Sequence, residues 1–101
     1  MGKCKITVLK TCLMKEIAQK MGKKSGFSEC PVFKENQTFI TKEPFGTAMP
    51  ENFCHVAWLS LETPVNVLAG GGKYLGLEEK TVVSCMDGLR PVLFLVEPLD
   101  E

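Results

Sequence analysis

The chain has 101 residues, with 12 basic and 12 acidic side chains and no formal net charge. That length makes one domain around a single small core. The balanced charge supplies no field to draw in nucleic acid or an anionic membrane, so neither is expected as a partner.

In chain order, Cys4-Lys5-Ile6-Thr7-Val8-Leu9 alternates polar and apolar side chains and reads as a half-buried first strand. Thr11 is placed to cap a helix carrying Leu13, Met14, Ile17, Ala18 and Met21 at helical spacing, and Gly22 is its left-handed stop. The lysines of the first quarter, Lys3 through Lys24, read as a solvated face. Residues 23–35 form a loop, pinned to the core by Phe27, Val32 and Phe33. Gln37-Thr38-Phe39-Ile40-Thr41 is a second strand, followed by a connection over 45–52. Residues 53–61 fit a short helix with Cys54, Trp58 and Leu61 on one face and the Trp58 ring largely buried. Thr63-Pro64 is an N-cap with proline at the first helical position, so a separate short helix follows through Val65, Leu68 and Ala69. Gly70-Gly71-Gly72 stops it.

The last third carries the strongest local signal. Two β-rich runs, 81–85 and 92–96, flank Asp87-Gly88, a pair suited to a type I′ turn with positive φ at both residues. In such a turn Cys85 lies directly across from Arg90. Leu93 and Leu95 point opposite to Val92, Phe94 and Val96, which predicts a central strand covered on both faces. The fold class is α+β: a small mixed sheet of about four strands, a C-terminal antiparallel hairpin, and two to three short helices on one face.

Nucleotide motifs fail on inspection. Gly70-Gly71-Gly72-Lys73 has Val67 and Tyr74 where a P-loop needs glycine and Ser or Thr, and the run closes a helix instead of opening one. His55 is the lone histidine, so catalytic and metal arrangements must use it or do without. Five cysteines without a secretory pattern argue against a disulfide framework and for the cytoplasm. The 92–96 run is too short to span a bilayer.

Soft thiolates suit zinc or an iron–sulfur cluster, and Cys30, Cys54, Cys85 and His55 are the candidate metal ligands. The geometric expectation is that a loop, a helix start and a strand end meet at one rim of the sheet. Trp58, Asp87 and Arg90 are further candidate site residues. Asp87 also has a structural use, bonding its own turn backbone.

Three blocks, Cys30-Pro31-Val32-Phe33, Phe53-Cys54 with Ala57-Trp58, and Cys85-Met86-Asp87-Gly88-Leu89-Arg90-Pro91-Val92 with Phe94 and Glu97, carry a resemblance. Together with Lys5-Ile6-Thr7-Val8-Leu9 and Gly70-Gly71, the chain resembles a family of short hypothetical proteins from bacteria and archaea, many of them anaerobes. The family has no assigned activity, so the resemblance implies motif positions and no mechanism. Ser84 stands where many members carry a second cysteine.

Two function classes follow. One is a non-enzymatic accessory or binding module, with a protein partner or a homo-oligomer in view. The other is a thiol-based metal, cluster or redox protein using Cys30, Cys54 and Cys85. No acid–base pair, nucleophile–base pair or cofactor loop can be completed from the sequence, which favours the first.

Overall fold

The structure, a computed structural model, describes residues 2–22, 28–42, 47–76 and 79–99. Phe27, Lys23 and Lys24, the Ser25-Gly26 loop signal and Phe45 and Gly46 of the second connection lie outside them. The described order is β1 (Lys3–Thr11), α1 (Lys15–Lys20), β2 (Thr38–Ile40), α2 (His55–Ala69), a 3-10 turn (Tyr74–Gly76), β3 (Thr81–Ser84) and β4 (Val92–Leu99). The strands form one sheet in the order β2-β1-β4-β3, with every pairing antiparallel. This is the expected α+β domain, and β4 is central. No helix among the described residues is long and apolar enough to cross a membrane.

Period-two alternation divides the sheet into two faces. Cys4, Ile6 and Val8 of β1 and Val92, Phe94 and Val96 of β4 are fully buried on one side. There they meet Ala57, Leu61, Val65 and Leu68, the i, i+4, i+8, i+11 stripe of α2. The other side holds Lys5, Thr7, Leu93, Leu95 and Glu97, and no element of the described chain packs over it. Among the described residues the expected cover on both faces of β4 is therefore present on one, with Leu93 and Leu95 only half-buried.

Several local expectations yield to tertiary pairing. β1 runs past Leu9 to Thr11, because β4 is long enough to pair Thr11 with Val92 across a β-bulge between Val8 and Lys10. Thr11 is thus a strand end, and Met14 takes the N-cap of α1 without a side-chain hydrogen bond. α1 buries only Ala18, while Met14, Ile17 and Met21 stay exposed. Its stop is as read, with Gly22 at φ +78°. Val32 is exposed, and Phe33 alone of that pair is buried.

The two short helices expected around Thr63 are one 15-residue helix with Pro64 inside. Proline there forfeits one backbone hydrogen bond. Its ring is buried among the core side chains, which offsets the loss. Trp58 is half-buried, packed edge-on against Phe53 at 6.1 Å.

The glycine run ends α2 in a Schellman motif. Gly71 N–H donates to Leu68 O at 3.0 Å and Gly72 N–H to Val67 O at 2.9 Å. Gly71 has φ +87° with open space where a Cβ would stand. Gly71→Ala should therefore cost about 1 kcal/mol by backbone strain alone. Gly88 has equal space and no positive φ, so Gly88→Ala should be close to neutral. Denaturant midpoints of the two variants check the contrast.

Candidate functional site

The ends of the sheet are distinguishable by register. β1 begins beside Leu99 and finishes beside Val92, and β3 finishes with Ser84 beside Leu93. Gly2 N–H donates to Ala69 O at 3.3 Å, which ties the C-terminal end of α2 to the start of β1. A 15-residue helix is about 22 Å long, so its N-terminus lies toward the other end, where the β3–β4 loop is. All the candidate residues collect there.

An aromatic cluster floors this end on the helix face. Phe33 meets Phe53 and Phe94, each at 5.1 Å between ring centroids, and Phe39 at 5.9 Å. Edge-on and tilted contacts of this kind match the ring quadrupoles. Sequence reading assigned Phe33 to the core and missed its central position, because the contacts join four separate segments.

The β3–β4 loop departs from the type I′ turn. Neither Asp87 nor Gly88 has positive φ, and the loop runs from Met86 to Pro91. Asp87 organises it. Its Oδ1 accepts the backbone N–H groups of Leu89 at 2.9 Å and Arg90 at 3.0 Å, and Oδ2 accepts Arg90 Nε at 3.1 Å. The Arg90 N–H, the Leu89 N–H and the Arg90 guanidinium hold this carboxyl below its usual 3.8. A carboxylate so depressed and so engaged is a poor general base.

The longer loop shifts the cysteine. Cys85 faces Val92, not Arg90: its N–H donates to Val92 O at 3.0 Å. Its carbonyl accepts the Ser84 hydroxyl at 2.8 Å, and Val92 N–H turns to Cys85 Sγ at 3.4 Å. Pairing with buried Val92 puts the thiol on the helix face.

Cys54 is the N-cap of α2 on that face, with no side-chain capping bond. Cys30 follows Glu29, whose carboxylate accepts the hydroxyl of Thr11, the residue across from Val92. Glu35 takes the Thr11 N–H at 3.4 Å. Cys30, Cys54, Cys85 and Trp58 are each partly buried against the same core cluster. The three cysteines thus reach one end of one face. They stop short of a metal cage: among the described residues no group of three or more His, Cys, Asp and Glu side chains is placed to hold a metal ion. His55, the first residue of α2, is exposed.

Cys4 differs from the other four. It is fully buried mid-strand, donates its thiol to Val65 O at 3.6 Å, and burial pushes its pKa from 9.0 to about 11. Thr41 brackets it, accepting Cys4 N–H at 2.9 Å through its hydroxyl and donating its own N–H to Cys4 O at 3.0 Å. Compared with models of protein families, with curated proteins and with solved structures, the chain matches none.

Two pH effects follow with opposite signs. The Asp87 contribution is present above pH 3.8 and is lost as pH falls through the depressed folded value. Asp87→Ala should cost about 1 kcal/mol at neutral pH, and its gap from wild type should close in acid. Urea titrations at several pH values read both. For Cys4 the unfolded thiol ionises first, so its contribution is complete below pH 9.0 and is lost as pH rises toward about 11. The stability gap between wild type and Cys4→Ala should narrow over that alkaline window.

Proposed function

We propose that this protein is a non-enzymatic accessory module that acts by binding. The observation that carries the reading is the state of Asp87 and Arg90, the most catalytic-looking pair in the chain. The carboxylate spends both oxygens on its own loop, on two backbone N–H groups and the Arg90 guanidinium. The residues of the Cys85–Pro91 block then serve to shape a rigid loop at the end of the sheet, with half-buried Trp58 nearby as a contact residue. A protein is the partner class this surface suits, since the chain has no net charge to favour nucleic acid or an anionic bilayer. Its free thiols fit a reducing cytoplasm.

Thiol chemistry is the second reading. It is supported by the common location of Cys30, Cys54 and Cys85 against the core at the loop end of the sheet. A zinc or iron–sulfur centre there would require a rearrangement, since among the described residues no group of three or more ligating side chains is placed to hold a metal ion.

Anaerobic purification separates the two readings. Elemental analysis and visible absorption should find metal-free, colourless protein, with thiol titration unchanged by mild oxidant. Stoichiometric zinc or iron, lost together with Cys30→Ser or Cys85→Ser, would overturn the binding-module reading in favour of the thiol one.

A further inference from the structure

From Val92 to Val96 β4 is apolar on both faces, while α2 covers only one. Leu93 and Leu95 emerge on the side over which no element of the described residues packs, flanked on the outer strands by Val82, 56% exposed, and Ile40, 43% exposed. Register puts them on one surface with a pair of opposite charges: Lys5 is opposite Glu97 and Ile40, and Thr7 is opposite Leu95. A central strand of this composition is the pattern of one buried from both sides.

We propose that this open sheet face is a self-association surface, on which a second copy of the chain stacks to form a helix-sheet-sheet-helix dimer. Charge selects a second copy as the occupant. A two-fold axis parallel to the strands, running between β1 and β4, exchanges the two central strands and preserves height along them. β1 then lies over the β4 of the other chain. Because Lys5 and Glu97 share a height, Lys5 of each chain meets the partner's Glu97, and the pair is made twice. In the same stacking Leu95 covers the partner's Thr7, and Val82 covers the partner's Thr38. The two sheets pack aligned, about 30° apart through their twist. Zero net charge leaves no overall repulsion against association.

Size sets the expected strength. At about 3.3 Å per residue and about 4.8 Å per strand, the face has a flat footprint of roughly 400 Å² per chain. The pair buries roughly 800 Å² before side-chain relief is added, near the roughly 1,000 Å² where specific interfaces begin. An interface of this size makes the dimer weak, so its dissociation is sought between micromolar and millimolar concentrations. The surface is on the opposite face of the sheet from Cys30, Cys54, Cys85 and Trp58 and does not include the Asp87–Arg90 loop, so the inference goes beyond the binding-module reading and stands or falls apart from it.

Sedimentation equilibrium on the full chain from about 1 µM to about 1 mM brackets that range. Wild type should dimerise reversibly. Leu95→Glu, at the centre of the face, should leave a monomer with native circular dichroism; if it does not fold, Val82→Lys on the outer strand replaces it. Lys5→Glu should weaken association about tenfold, and adding Glu97→Lys should restore it. A wild type that is monomeric throughout overturns the proposal. So does a dimer indifferent to the Leu95 and Val82 variants. A dimer broken by those changes but insensitive to the charge exchange refutes the two-fold arrangement and, with it, the choice of occupant.

Discussion

The backbone ladder between β1 and β4 joins Lys3 to Leu99 at one end and Thr11 to Val92 at the other, and the remaining elements are arranged by it. Because the two strands come from opposite ends of the sequence, everything between them is looped out and must return to one side or the other. β2 and β3 add to the two outer edges, and α2 crosses the face that bears Ile6, Val8, Phe94 and Val96. Closing a loop of this length carries an entropic penalty that local contacts do not repay. Docking of α2 repays it by burying one face of both central strands at once. A domain built on so distant a pairing folds more slowly than a helical bundle of equal size.

That ladder also explains which local signals prevailed. The alternation of β1, the continuous apolar run of β4, the β-rich 81–85 segment and the glycine stop after Ala69 were legible, because each depends on period or on a single backbone conformation. The failures have two causes. Thr11 carries good capping chemistry, yet the hydrogen bonds offered by β4 outcompete one side-chain cap. Thr63-Pro64 is a fair helix start, yet the apolar stripe from Ala57 to Leu68 is continuous and its burial keeps the helix whole. Asp87-Gly88 suits a two-residue turn, but the Asp87 carboxylate finds three N–H donors in a longer loop. In each case a contact distant in sequence, or a side chain acting on the backbone, outweighed the local preference.

The candidate site was legible in part for the same reason. Placing Cys30, Cys54 and Cys85 at one rim required only knowing that a loop, a helix start and a strand end meet there. The pairing of Cys85 with Val92, not Arg90, turned on loop length, which composition does not encode. The Phe33-centred cluster joins the segment after Cys30, β2, the approach to α2 and β4, so no window of sequence contains it. Its effect is to seat the N-terminus of α2, and with it Cys54 and Trp58, over the loop end of the sheet.

β4 serves both surfaces of the molecule through its alternation. Its even-numbered residues Val92, Phe94 and Val96 hold α2 and present Val92 N–H to Cys85 Sγ, while Leu93, Leu95 and Glu97 form the middle of the open face. A one-residue slip of β4 against β1 would exchange the two sets, moving Glu97 toward the helix and Phe94 toward solvent. Two constraints oppose the slip. The Asp87 network fixes the length of the loop that leads into β4, and at the far end Leu99 O lies so close to Gly2, 2.7 Å from where a Cβ would stand, that this register requires a glycine there. The residues that look most catalytic and the glycine beside the first strand thus perform one task. They hold in register the strand on which both surfaces depend.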